Sequence, residues 1–325
     1  MTLIIAGYTA APANKEDSMI YYKHLATVKR AGGLELAWKG AQMKSDIEDL
    51  MKIVPDEWVF TINAIPATFG AWASDHRFGL ASPDAAGRET AVAMITDIAA
   101  AVRAVNDAAG RKAVLAVEIQ PAPGFSDRIY TAHADSFARS LDAVAGLDWD
   151  GCAVTVEHCD AYVEGQTPQK GFLTLDQELN VLNGLTGSPV GMSINWGRSL
   201  IEVRDPARVV DHVKKASASG LLKGFTLSGT AAKDNAVGKA WADSHLAFAD
   251  TTAREYAEPA SLMTVALAEE SLRHVCDLVF LAVKTNWPAS RPDPKERAAS
   301  VIANFETALE LIDRNPTSIM AASAA

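Results

Sequence analysis

The sequence predicts an α/β protein folded as a (β/α)8 barrel of the TIM type, and three observations carry that prediction. Eight short runs rich in β-branched and small apolar residues recur along the chain. Longer amphipathic helical patterns separate them, the alternation expected of βα units around a parallel sheet. Neither a GxGxxG nor a Walker-type GxxxxGKS/T motif follows any run. The doubly wound sheet, the other fold with this alternation, therefore lacks its phosphate loop.

The first run, TLIIAGY (2–8), has no basic residue ahead of it and reads as a buried strand rather than the core of a signal peptide. LELAWK (34–39), WVFTIN (58–63), KAVLAVEIQ (112–120) and CAVTVEH (152–158) follow, then VGMSINW (190–196), KGFTLSG (223–229) and LVFLAVK (278–284). Among the helical stretches, 84–110 and 205–220 both close on glycine, the favoured residue just past a helix end, and the second opens on Asp-Pro. Residues 231–274 exceed what a βα unit needs. They predict an extended loop over the barrel mouth at 231–260, with 161–174 a second long loop at the same end. No linker composition interrupts residues 1–325, which read as one domain, with 317–325 a frayed tail.

Composition bounds the function. The chain has 325 residues, 49% hydrophobic and 22% charged, with a formal net charge of −10. The acidic balance argues against nucleic-acid or anionic-membrane partners, and no apolar run approaches membrane-spanning length. Cys152, Cys159 and Cys276 form no CxxC pair and no zinc-type spacing, which points to reduced thiols and a cytoplasmic location.

Side chains alternate across a strand, and a barrel interior takes one parity from each. The parity with smaller or more polar residues gives the inward rows Ile4–Ala6–Tyr8, Glu35–Ala37–Lys39, Val59–Thr61–Asn63 and Val114–Ala116–Glu118–Gln120. The later rows are Ala153–Thr155–Glu157, Gly191–Ser193–Asn195, Gly224–Thr226–Ser228 and Phe280–Ala282–Lys284. The opposite rows, such as Val154–Val156 and Leu281–Val283, are apolar and belong under helices. Polar or ionisable residues stand near the C-terminal end of all eight inward rows: Tyr8, Lys39, Asn63, Glu118, Glu157, Asn195, Ser228 and Lys284. Active sites of this fold occupy that end, so the pattern predicts an enzyme.

Glu118 and Glu157, read at the same height on adjacent strands, suit an acid/base pair or a divalent-cation site. A structural network with Lys39 or Lys284 is the alternative. His158 turns into the mouth if the strand has ended and packs outside if it has not. Asp160 is placed to orient His158 or bind a ligand, and Cys159 reads as a small buried filler. In NWGRS (195–199), Trp196 is placed to stack on a sugar ring and Arg198 to clamp an anion or to pair with Glu202. Lys284 is an anion-binding ammonium, a nucleophile or an ion-pair partner. His76 and His245 fall in loops that could line a lid, whereas His24, His133, His212 and His274 fall in helical patterns.

The phrases FGLASPDAAGR, VEHCDAY, QKGF, NWGRS, SGTAA and EPASLMT resemble a bacterial branch of the xylose-isomerase-like TIM barrels. That superfamily comprises sugar isomerases, sugar epimerases and endonuclease-IV-like enzymes, and the resemblance spans nearly the whole chain. It implies a divalent metal (manganese, cobalt, magnesium or zinc) held by Glu, Asp, His and Glu from four strand ends. By strand position Glu118 corresponds to the first glutamate, and Glu157 or Asp160 to the aspartate. Asn195 and Ser228 supply no histidine, and Lys284 stands where the last glutamate is expected. The ligand set is thus incomplete. Any metal is expected on Glu118, Glu157 and His158, with the Lys284 ammonium as its electrostatic substitute, and Gln120 stands where the branch commonly has histidine.

These readings combine into an expectation of a sugar isomerase or epimerase working by proton transfer α to a carbonyl. Glu118 and Glu157 would exchange the proton, with Lys284 and Lys39 stabilising charge and His158 at the reacting centre. Tyr8, Asn63, Gln120, Asp160, Asn195, Trp196, Arg198 and Ser228 would bind a small-molecule carbohydrate. A glycoside-cleaving hydrolase or lyase and a catalytically silent sugar binder are the alternatives. A homo-oligomer is common in the superfamily.

Overall fold

Eight parallel strands close on themselves in chain order, β1 pairing with both β2 and β8. They are β1 Thr2–Ala6, β2 Gly33–Ala37, β3 Val59–Asn63, β4 Val114–Ile119, β5 Ala153–His158, β6 Val190–Asn195, β7 Leu222–Leu227 and β8 Phe280–Lys284. The architecture is a (β/α)8 barrel, seen in a computed structural model that describes residues 1–125, 131–185 and 187–315. The expected tail at 317–325 lies outside the described residues.

Among the described residues, ten α-helices surround the sheet. In order they are α1 Lys15–Leu25, α2 Met43–Met51, α3 Ile65–Ser74, α4 Ala85–Ala109 and α5 Ala134–Ala145. They continue with α6 Leu175–Gly184, α7 Trp196–Val203, α8 Pro206–Ala218, α9 Val265–Leu272 and α10 Pro294–Arg314. Their starts follow local chemistry. Asn14, Asp84, Thr174, Asp205, Thr264 and Asp293 each accept a backbone N–H of the first turn, and Thr174 and Gln177 form a reciprocal capping box. Gly110 ends α4 in the left-handed conformation that a residue with a Cβ resists. Among the described residues, no helix is long and apolar enough to cross a membrane.

The alternation of the strands sorts the core into two layers. Outward residues such as Leu34, Ile62, Val154, Met192, Phe225 and Leu281 join the large cluster beneath the helices. Inside the barrel, Ile4, Ala6, Ala116, Phe280 and Ala282 form a small apolar plug. The inward rows nearer the mouth carry Thr61, Asn63, Glu118, Thr155, Glu157, Ser193 and Asn195, all fully buried. Val114, expected inward, packs in the outer cluster instead. The β3–β4 ladder slips between Phe60 and Thr61, so that Phe60 pairs with Val114 but Thr61 with Ala116, and the extra residue turns Val114 outward.

The register also corrects the heights. Glu118 pairs with Thr155, and Glu157 lies one two-residue step nearer the mouth. Barrel strands are staggered by their tilt, so residues counted from strand ends do not align across neighbours. Both long connections gather at this end. The β5–α6 segment is closed by an Ala161–Phe172 bridge and the β7–α9 segment by a Gly229–Leu246 bridge.

Packing inside the plug depends on a missing side chain. Gly224 pairs with Phe280 across the β7–β8 ladder, and a Cβ there would overlap the Phe280 ring. We expect Gly224→Ala to destabilise the barrel by about 1–3 kcal/mol. Urea unfolding of the Gly224→Ala/Phe280→Leu double variant should recover part of that loss, which independent sites would not do.

Candidate active site

The mouth is built around two carboxyls and one amide. Asn63, the last residue of β3, donates both hydrogens of Nδ2, one to Glu118 Oε2 and one to Glu157 Oε2, each at 2.9 Å. The two oxygens therefore lie within about 6 Å of each other. Asn63 is itself fixed, because its Oδ1 accepts the Ile65 N–H where α3 begins and Nε2 of Gln120. Ser193 donates to Glu118 Oε1 at 2.7 Å. Gln120 donates to Glu157 Oε2 at 2.8 Å, and Asn195 stands 3.4 Å from Oε1. Arg198 closes an ion pair with that same Oε1.

These surroundings split the two acids. Burial, then the charges of Glu157 and Glu35, raise Glu118 well above the ordinary carboxylate range. Burial would raise Glu157 too, but Arg198 and Lys284, with the Asn63 and Gln120 hydrogen bonds, bring it down to about 2. The two carboxyls are pushed in opposite directions, the separation an acid and a base require.

Lys284 ends β8 with its Nζ 2.5 Å from Glu35 Oε1, both side chains fully buried, and 5.2 Å from the centre of the Tyr8 ring. Burial opposes the ammonium, yet Glu35, Tyr8 and Glu157 hold it above its ordinary value. Lys284 is thus a fixed positive charge and not a nucleophile. Glu35 escaped the sequence reading although it stood in an inward row. An ionisable residue in the middle of such a row is the signal that could have found it.

Above this network lies a cavity of about 360 Å³ lined by Tyr8, Thr9, Ile65, Pro66, Phe69, Gln169, Lys170, Arg198, Asp243 and His245. Its floor is an ion-pair bridge, with Asp243 Oδ2 accepting from Lys170 at 2.6 Å and from Arg198 Nε at 3.0 Å. Burial would raise Asp243, but Arg198 and Lys170 hold it well below the ordinary range. Ser228, just past β7, shares a 2.8 Å hydrogen bond with His245 Nδ1. Burial, with the nearby cations, keeps that ring neutral, at about 3. Lys170, Asp243 and Gln169 come from the two long loops, where the sequence reading singled out only His245 and Asp160.

Four expected residues lie elsewhere. His158 remains in β5, so alternation carries it outward, where Nδ1 meets Glu178 at 2.7 Å and Nε2 stands 3.3 Å from Glu202. It cannot join Glu118 and Glu157 around a metal. Burial opposes its protonation, but Glu178 and Glu202 raise it to about 10. Trp196 is fully buried in α7 and donates to Ser271, because β6 passes into the helix with no loop to present the ring. Asp160 is buried, and its Oδ2 accepts the backbone N–H groups of Gln169 and Lys170, shaping the loop rather than orienting His158. Lys39 is exposed because β2 stops at Ala37. It lines a separate cavity of about 380 Å³ with Tyr22, Leu36, Asp46 and Asp49, on the far side of Tyr8. Arg198 pairs with Glu157 and Asp243, leaving Glu202 to the histidines.

The mouth does not fit the divalent cation implied by the resemblance. Glu157 faces amide and guanidinium donors on both oxygens, and Glu118 accepts from Ser193 and Asn63. Lys284 and Arg198 add two positive charges where a cation would sit. A carboxylate ligand needs lone pairs free of such donors.

A family model described as a domain of unknown function, DUF4862, matches residues 4–299. The uncharacterized protein STM3670 of Salmonella typhimurium is 31% identical over 283 residues, 86% of this chain and 84% of its own. The structure of an L-ribulose 3-epimerase superposes with TM-score 0.58 at 13% identity, over 98% of this chain and 96% of that one. A D-psicose 3-epimerase from Clostridium cellulolyticum H10 gives 0.55 at 12%, over 98% and 99%. The 3-keto-D-glucoside 4-epimerase of E. coli gives 0.54 at 14%, over 96% and 99%. At such identities the likeness is one of fold, and it bears out the (β/α)8 barrel.

Because Glu35 and Lys284 are each other's counter-charge, breaking the pair should cost more than removing it. Lys284→Met is expected to destabilise by about 3–5 kcal/mol. The Lys284→Met/Glu35→Leu double variant should recover most of that in equilibrium denaturation.

Proposed function

The chain belongs to the family described as a domain of unknown function, DUF4862, and from that premise we propose that it is a sugar isomerase or epimerase. Its reaction moves a proton α to a carbonyl at the mouth of the barrel. The observation that carries this reading is the pair of buried carboxyls joined through a single Asn63 amide beneath the pocket, one raised and the other lowered by its surroundings.

Each step falls to a named group. Glu157, freed of one of its amide donors as the substrate binds, takes the proton from carbon, and the electron pair passes to the carbonyl oxygen. Arg198, which lines the pocket and pairs with Glu157, holds the oxygen that gains charge. In an isomerase Glu157 returns the proton to the former carbonyl carbon, while the hydroxyl proton on the adjacent carbon passes to the oxygen that gained charge and leaves the new carbonyl behind. In an epimerase the enolate turns its other face to the pair, Glu118 gives its own proton to the same carbon, and a proton then passes from Glu157 to Glu118 to reset them.

Charge around the mouth favours a neutral substrate. Glu35, Glu157 and Asp243 balance Lys170, Arg198 and Lys284, each within an ion pair. An uncharged polyol leaves that balance intact, whereas a phosphate would have to displace Asp243. Tyr8 and Phe69 supply the apolar faces that a sugar ring packs against. The relatives of similar fold include epimerases of free sugars by name, which agrees with this class.

The test is deuterium incorporation. The full chain is incubated in deuterated water with a panel of free ketoses, aldoses and keto-glycosides and followed by NMR. We expect deuterium at the carbon beside the carbonyl, with Glu157→Gln slowing it by about 10²–10⁴-fold. Release of a sugar from a glycoside, or binding with no exchange across the panel, would overturn the proposal in favour of hydrolysis or silent binding.

A further inference from the structure

The outer wall of the barrel holds a second cluster of ionisable groups that the mouth does not use. From it we infer a site for a divalent transition metal of the zinc class, formed by His158 at the end of β5, Glu202 on α7 and His212 on α8. It stands whatever reaction the mouth performs.

Geometry is the first support. His158 Nε2 lies 3.3 Å from Glu202 Oε2, and His212 Nε2 lies 3.7 Å from Glu202 Oε1. One donor atom from each of the three residues falls within 4.8 Å of the others. Ligands about 2.1 Å from a tetrahedral ion stand about 3.4 Å apart, so small side-chain adjustments close the set.

The orientation of His158 is the second support. Its ring is fully buried, and Nε2 faces only the Glu202 carboxylate, at 3.3 Å and without a well-formed hydrogen bond. The other ring nitrogen is held 2.7 Å from the buried carboxylate of Glu178. A histidine clamped by a carboxylate on one nitrogen, with the second aimed at further ligands, is the arrangement that orients metal-binding imidazoles. Glu202 is steadied in turn by the Ala161 N–H at 2.8 Å. Two imidazoles and a carboxylate suit zinc, cobalt or copper better than magnesium or calcium.

Charge and access agree. Glu202 and Glu178 together match a divalent ion, and a metal on Nε2 takes the place of a proton there. His212 is 15% exposed and Glu202 12%, which opens a route from solvent at the helix side. The ion would stand outside the barrel and brace it. Glu157–Arg198 and His158–Glu202 are successive links, one residue apart on β5 and one turn apart on α7.

The test is cobalt(II) titration of the chelator-treated full chain, followed by visible absorption and by NMR. We expect one equivalent to give the d–d bands of a four- or five-coordinate ion, displaced by zinc. Two paramagnetically shifted imidazole N–H signals should accompany it. Glu202→Gln and His212→Gln should abolish binding, Glu178→Gln should weaken it about 10–100-fold, and Glu157→Gln should leave it unchanged. No stoichiometric binding, or binding untouched by His212→Gln, would overturn the site, as would loss of binding on Glu157→Gln alone. If a variant fails to fold, the imidazole signals of the unaltered protein decide, since fewer than two would also overturn it.

Discussion

Charge that has left water must meet opposite charge, and the mouth of this barrel is organised by that requirement. Glu35, Glu157 and Asp243 stand against Lys284, Arg198 and Lys170 in a chain of contacts reaching from inside the barrel to the pocket floor. Isolated, any of these groups would be driven to its neutral form or would pull water into the core. Together they also set the chemistry. The cations hold Glu157 low, while Glu118, with no cation paired to it directly, is raised by burial.

The barrel was legible in the sequence because alternation and βα spacing are local properties. Six of the eight predicted runs contain the observed strands whole, β2 and β7 each begin one residue before theirs, and the helix-facing rows are apolar. The stagger between strands is a property of closure, which is why Glu118 and Glu157 were set level although Glu157 stands one step higher. His158 turned on whether β5 continued through it. The strand does continue, and the ladder to Ile194 fixes the ring outside. Lys170 and Asp243 lie in irregular loops with no period to read, so their meeting over Arg198 was not visible in the sequence.

The two faces of β5 divide the molecule's ionisable chemistry. Glu157 points into the mouth and His158 into a compartment of Glu178, Glu202 and His212 under the helices. One strand end thus supports both the pocket floor and the wall behind it, and α7 receives both through Arg198 and Glu202. A shift of β5 along its axis would disturb the two sets at once, which ties the position of Glu157 to the integrity of the outer wall.

The join between β6 and α7 has a further consequence. Asn195 is both the last strand residue and the cap of the helix, accepting the Arg198 N–H through its side chain. With no intervening loop, an insertion there would displace Arg198 from Glu157 and disable the site. The segments carrying Lys170 and Asp243 have slack, since each spans many residues between fixed ends. Lineages descended from this scaffold can therefore acquire new substrate preferences by remodelling those two segments, while the Asn195–Arg198 corner is passed on as an inherited constraint.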